Sequence, residues 1–235
     1  MSRLINPFSD VIDIVRQPKE NSMIEQNMID GVLQREAGQE RWSENVIVVD
    51  ADYIDRVAFN LIVNFERMLG RKIPAADMPR WIDCVALDGG ISPTENAEGN
   101  VAVVLIHEKG SQGLENFVPA SYSELHGTAF KDHLGEFVFS SVPVENLTTK
   151  DDLLLDVVQA AMGAKEVKRL MVVPNAEDGD CYDRLRQTLR HADDDKRITL
   201  FAMQPMAGGR FQQEILGYSL MQALGISAAE LDSKM

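Results

Sequence analysis

Short apolar runs alternate along the chain with stretches of helical periodicity. Val46-Ile-Val-Val-Asp50 is β-branched, continuously apolar and closed by an acid, the signature of a parallel strand buried on both faces. Ile54, Val57, Ala58, Leu61, Ile62, Phe65 and Leu69 then recur at the helical interval, and Gly70 supplies a stop. Residues 82–87, 101–107 and 136–142 read as three further strands, set apart by segments rich in Gly, Pro, Ser and Asn. Residues 109–135 read as a loop or lid with a short helix. From Thr149 onward the pattern predicts a helix over 151–162, a strand over 170–174, a helix over 180–191, a strand over 198–203 and a last helix over 211–224. Strands alternating with helices predict an α/β protein, a three-layer sandwich with a mostly parallel central sheet. The strands at 46–50, 170–174 and 198–203 are expected to be parallel neighbours in its middle.

Before Val46 the composition differs. Residues 4–40 are polar with scattered apolar positions, and Ile24, Met28, Ile29 and Val32 fall at helical spacing, although Gly31 and Gly38 weaken that pattern. The chain is expected to divide into an amphipathic helical extension, 1–43, and one α/β domain, 44–235. The extension has too few apolar residues for its own core, so it is expected to pack on the domain or on a second subunit, with a homodimer through residues 4–40 favoured.

Charge narrows the partners. Among 235 residues, 37 Asp and Glu face 23 Lys and Arg, for a net charge of −14. That field repels phosphate backbones at long range and disfavours RNA as a partner, but it does not oppose a carboxylate site that recruits a divalent cation. Asp10 and Asp13 interrupt the first apolar stretch, so no secretory signal is read, and no apolar run is long enough to cross a bilayer. Cys84 and Cys181 lie far apart and outside any CxxC pattern. No membrane partner and a cytoplasmic, reducing location are expected.

In parallel sheets the ligand lies beyond the carboxyl ends of the strands, and here the residues in those places are acidic. The first strand delivers Asp50 and Asp52, the run at 82–87 ends at Asp88-Gly89-Gly90, and the strand at 170–174 leads into Asp178-Gly179-Asp180. Asp152 and Asp156 lie near the start of the preceding helix. Taken singly, these acids suit helix ends: Asp52 and Asp180 as first-turn or N-cap residues, Asp152 as the partner of Thr149 in a capping box. Taken together, Asp50, Asp52, Asp152, Asp156, Asp178 and Asp180 offer the hard oxygen ligands that suit Mg²⁺ or Mn²⁺, with Asp50, Asp152, Asp178 and Asp180 as the catalytic set. Two such charges about 4 Å apart repel by roughly 4 kcal/mol, so without metal the acids should be strained, partly protonated or splayed apart.

The order of these motifs resembles the NYN branch of the PIN-like nucleases. The resemblance rests on Val48-Val49-Asp50-Ala-Asp52, on Lys150-Asp151-Asp152 at the head of an apolar helix, and on the apolar strand from Leu170 leading to Asp178-Gly179-Asp180. Arg184-Leu185 and the strand from Ile198 keep the spacing. The resemblance implies a Rossmann-like or PIN-like fold and a metal-dependent ribonuclease or phosphodiesterase, a hydrolase using Mg²⁺ or Mn²⁺. Ala176-Glu177 stands where the family carries Ser-Gly, and the acids after Lys150 stand closer together, which leaves open a PIN-like fold that has lost the activity. The chain as a whole is similar to uncharacterised bacterial proteins of the domain-of-unknown-function kind. A non-enzymatic acidic interaction or assembly protein is the alternative function.

Two lesser constellations remain. Gly208-Gly209-Arg210, read as a strand-to-helix turn, could hold a small anion on its N–H groups and guanidinium. His126 and His133 lie seven apart near Glu124, Asp132 and Glu136, which would suggest a metal site if the segment were helical, but Gly127 opposes that helix, and ordinary loop histidines are the stronger reading. The Asp193-Asp194-Asp195 run reads as a solvated turn, and Trp42 and Trp81 as core residues rather than a base-stacking platform.

Overall fold

Each long apolar run but one forms a strand. In the computed structural model, which describes residues 34–36, 39–93 and 99–232, the elements in chain order begin with a small antiparallel pair, β1 (Gln34–Glu36) and β2 (Gln39–Arg41). Then come β3 (Asn45–Asp50), α1 (Ala51–Leu69), β4 (Ala76–Asp77), α2 (Met78–Asp88), β5 (Asn100–His107), β6 (Phe117–Val118), α3 (Tyr122–Leu125), β7 (Ala129–Asp132) and β8 (Gly135–Pro143). The rest is α4 (Lys150–Gly163), β9 (Arg169–Val173), α5 (Cys181–Thr188) with a 3-10 turn over Leu189–His191, β10 (Arg197–Ala202), β11 (Gln212–Ile215), α6 (Leu216–Ala223) and α7 (Ala228–Asp232). The expected helices at Ile24 to Val32 lie outside the described residues.

Seven strands form the central sheet in the order β11-β10-β9-β3-β5-β8-β7, all parallel except the edge strand β7. The three strands expected as central neighbours are β10, β9 and β3, adjacent and parallel, with nearly every residue buried. Strand alternation splits the core into two layers. Ile47, Val49, Val103, Leu105, Met171 and Val173 face α1, α2 and α6. Val46, Val48, Val104, Ile106, Leu170 and Val172 face α4 and α5. The protein is a three-layer α/β sandwich.

The chain enters the sheet at its middle, in β3, moves outward through β5 and β8, and returns to the other side of β3 for β9, β10 and β11. The strands that follow β3 are therefore laid down in opposite directions on its two sides, which opens a crevice at the carboxyl ends of β3 and its neighbours.

Two elements differ from the sequence expectation. Residues 82–87 lie within α2: Asp77 caps it by accepting from the Arg80 N–H at 3.0 Å, Pro79 sits in its first turn, and Met78, Trp81, Ile82, Val85 and Ala86 form its buried stripe. The Asp77-Met-Pro79 start signal outweighs the short apolar run. Asp88-Gly89-Gly90 consequently ends a helix, with Gly90 beside Arg169, the first residue of β9, at the amino edge of the sheet and away from the crevice. The last helix begins at Leu216 rather than residue 211, because Gln212–Ile215 pairs with β10 as an outer strand. A terminal strand has one ladder to make and one face to bury, which lets the polar Gln-Gln-Glu-Ile sequence serve.

The loop over 109–135 is more structured than a free lid. The two-residue strand β6 pairs with β4, α3 supplies one helical turn, and β7 folds back on β8. Among the described residues no helix is long and apolar enough to cross a membrane.

Candidate functional site

Asp50 is the last residue of β3 and the N-cap of α1, where its Oδ1 accepts the Tyr53 N–H at 2.9 Å. It shares the parity of Val46 and Val48 and so belongs to the layer of α4. The amino end of that helix is fixed by a reciprocal cap, with Thr149 Oγ1 accepting the Asp152 N–H at 3.1 Å and donating to Asp152 Oδ2 at 2.7 Å. The first residue after the cap is Lys150. Its ammonium lies 2.9 Å from Asp50 Oδ1 and 3.0 Å from Asp52 Oδ2, so one cation bridges two carboxylates at the carboxyl end of the first strand.

The three side chains are withdrawn from water to different degrees: 1 % of Asp50, 15 % of Lys150 and 28 % of Asp52 is exposed. Burial raises Asp50 above the ordinary carboxylate range and outweighs the opposing pull of Lys150 and the Tyr53 N–H. Burial also acts to lower Lys150, but the Asp50 and Asp52 carboxylates overcome it and hold the ammonium above its usual value. Asp52 additionally accepts the Glu108 N–H at 2.9 Å, which fastens the residue after β5 to the first turn of α1.

His107, at the end of β5, closes the buried side. Its ring stacks on Tyr122 with centroids 3.8 Å apart, and its Nδ1 lies 3.0 Å from the Glu108 carbonyl. A carbonyl only accepts, so Nδ1 carries the proton and the neutral ring keeps Nε2 as an acceptor. Burial lowers the His107 pKa, which favours this neutral form.

Beyond Asp52 a cleft of about 390 Å³ runs along the first turns of α1, lined by Asp52, Asp55, Arg56, Phe59, Asn116 and Tyr122 among others. Its far wall is the loop after β5, pinned to α1 because Asp55 accepts both the Asn116 N–H at 2.8 Å and the Asn116 amide at 3.1 Å. Gly113 lets the loop double back, with the Leu114 N–H donating to the Ala120 carbonyl at 2.8 Å. A Cβ at Gly113 would overlap that carbonyl. Gly113→Ala should therefore displace the wall and cost about 1–3 kcal/mol, read as a lower urea midpoint with unchanged slope.

The six acids named from the sequence all lie on elements that reach the carboxyl edge, but they do not gather into one cluster. Asp50 and Asp52 share Lys150. Asp152 is held by Arg184 as well as by Thr149. Asp178 binds Arg56 at 2.6 Å across the crevice, steadied by Asn175. Asp180 stands at the head of α5 without capping it, 76 % exposed and 4.0 Å from Arg184. Asp156 is exposed on α4. Among the described residues, the one group of three or more His, Cys, Asp or Glu with ligand atoms within 4.8 Å of one another is elsewhere: Asp83, Asp132 and His133. Within the Asp50–Asp52 pair the Lys150 ammonium offsets the mutual repulsion.

The small-anion site at Gly208, Gly209 and Arg210 is not assembled as expected. The segment precedes the outer strand β11 instead of opening a helix, so no helix N-terminus faces it, and Arg210 is paired with Asp194. Asp193, Asp194 and Asp195 form the exposed turn expected of them. His126 accepts the Ser141 N–H at 3.2 Å through Nδ1, and Gly127, at φ 75°, ends the turn of α3.

Lys150 appears in the sequence only as part of a motif, and Arg56, Asn116, Tyr122 and His107 give no sequence signal of their own. The one signal for His107 is its place as the polar last residue of an apolar strand.

Fold and site together define a parallel α/β protein with a carboxylate–lysine centre at the point where its strand order reverses. The chain belongs to a family of unknown function, DUF6621, whose profile matches residues 39–231. No curated protein and no solved structure matches it.

Proposed function

We propose that the protein is a PIN-like phosphodiesterase acting at the carboxyl end of β3, where Asp50 and Asp52 hold one divalent cation in the position now taken by the Lys150 ammonium. The observation that carries this reading is the bridge itself: two carboxylate oxygens about one cation, at 2.9 and 3.0 Å. The donor set suits one hard ion, Mg²⁺ or Mn²⁺, in competition with Lys150. It does not suit two, because Asp152 and Asp178 are already tied to Arg184 and Arg56.

A bound ion would supply an activated water and draw charge from the phosphoryl oxygens. The chain's own groups do the rest. Asp50 is fixed by burial and by the Tyr53 N–H, so it cannot swing away from the site. Lys150 has a flexible stem, and an ammonium released from the carboxylates can meet a phosphate oxygen. Arg56, paired with Asp178 at 2.6 Å at the mouth of the cleft, would meet an anion there by exchanging that carboxylate for it. The cleft volume is that of a small-ligand pocket, and the net charge of −14 opposes long polyanions, which together favour a small phosphodiester over extended RNA.

Hydrolysis of bis(4-nitrophenyl) phosphate in Mn²⁺ tests the reading. Metal-dependent turnover should appear, and Asp50→Asn should lower it more than about 100-fold while keeping a good N-cap. A protein that binds Mn²⁺ at Asp50 yet turns over neither this substrate nor a dinucleotide would contradict it.

A further inference from the structure

A second group of ligand-type side chains lies at the opposite, amino edge of the sheet, unused by the site at Asp50. Asp83 projects from α2, while Asp132 and His133 are consecutive residues of the tight turn between β7 and β8. Their ligand atoms all lie within 4.8 Å of one another. The set is mixed, an imidazole with two carboxylates, and its pieces come from two elements far apart in sequence. Asp83 Oδ1 is buried and has no hydrogen-bond partner among the described residues, an expensive way to leave a carboxylate oxygen. Asp132 is oriented by the Leu134 N–H, which donates to its Oδ1 at 2.7 Å. Burial, and next a carboxyl–carboxylate hydrogen bond with Asp132 together with its charge, raise Asp83 to about 6 against the opposing pull of His133.

We propose that Asp83, Asp132 and His133 bind one divalent transition-metal ion, Zn²⁺ in preference to Mn²⁺, and that the ion clips the edge hairpin β7–β8 to α2. Imidazole favours zinc over magnesium or calcium, and two carboxylates complete three of the four positions of a tetrahedral site, leaving one for water. Ligand atoms about a tetrahedral zinc stand about 3.3 Å apart at the usual bond lengths, so the group must contract by at most about 1.5 Å. His133 is exposed and can make that movement by rotating its ring. The clip has an evident purpose: β7 is the antiparallel edge strand of the sheet, and joining its turn to α2 fixes an element that has one strand neighbour.

The test is a calorimetric titration of the chelator-treated full chain with Zn²⁺ alone, read together with the His133 ring resonances, which Zn²⁺ should shift. One Zn²⁺ should bind per chain, and His133→Ala should weaken it more than about 100-fold, beyond what an outer-shell change costs. Asp83→Asn should weaken it likewise, whereas Asp50→Asn should leave it intact, which separates this site from the one at β3. Because His133 is exposed, its alanine variant keeps the fold and any loss reads the ligand. Failure of the wild type to bind at millimolar Zn²⁺, equal binding by His133→Ala, or His133 ring resonances unmoved by Zn²⁺ would overturn the proposal.

Discussion

Lys150→Met should lower the stability of the protein by about 3 kcal/mol, and millimolar Mn²⁺ should restore most of the loss. The substitution keeps the aliphatic stem and removes the charge that now stands between Asp50 and Asp52. Asp50, 1 % exposed, is then left charged and without its cation. Breaking a buried pair in this way costs about 3–5 kcal/mol, and the lower end applies because Lys150 and Asp52 are partly solvated. The deficit also has a pH signature. Asp50 already has a raised pKa, and losing Lys150 raises it further, so the folded variant binds a proton more readily than the unfolded chain. Its stability relative to the wild type should recover as pH falls towards that raised value and worsen as pH rises above it. Chemical denaturation across pH, with and without Mn²⁺, reads both effects. A loss that neither acid nor Mn²⁺ repairs would mean that Lys150 acts through packing alone.

The second large effect is expected at Trp81, which joins the helical layer to the wall of the cleft. It is fully buried on α2, donates its indole N–H to Ser219 Oγ on α6 at 3.2 Å, and meets Phe117 edge to face at 5.6 Å. Trp81→Ala should cost about 4 kcal/mol, from lost transfer energy and from the cavity left among close-packed neighbours. Phe117 belongs to β6, which pairs with β4, so the loop that carries Asn116 should loosen as well. The variant should show a lower urea midpoint and faster hydrogen exchange at the amides of residues 114–118. Trp81→Phe, which keeps an aromatic ring against Phe117, should cost less than half as much. Equal losses for the two variants would assign the effect to the Ser219 hydrogen bond.

Much of the fold could be read from the chain because its central strands are buried on both faces and therefore written as continuous apolar runs. The runs at 46–50, 101–107, 136–142, 170–174 and 198–203 all became strands of one sheet. Where burial is one-sided the pattern weakens. Gln212–Ile215 is too polar to announce an edge strand, and the run at 82–87 is too short to separate a buried helix from a strand without its Asp77 cap. The site was legible to the same degree. Asp50 and Asp52 were placed by the rule that ligands lie at strand carboxyl ends. Which acids carry a neutralising cation was not legible, because Arg56 meets Asp178, Lys150 meets Asp50, and Arg210 meets Asp194 through tertiary contacts across the sheet or its loops. No local pattern records such pairings. The Asp83, Asp132 and His133 group was hidden for a further reason: its first member lay in a segment read as a strand.

In the proposed site Asp50 and Asp52 share a single cation position, with Asp178 outside it. The most direct measurement is a Mn²⁺ titration by calorimetry of Asp50→Asn and Asp178→Asn side by side, both carrying His133→Ala so that the distant group is silent. Asp50→Asn should lose Mn²⁺ binding, and Asp178→Asn, which removes a carboxylate already spent on Arg56, should bind as the parent does. Undiminished binding by Asp50→Asn would contradict the proposed site.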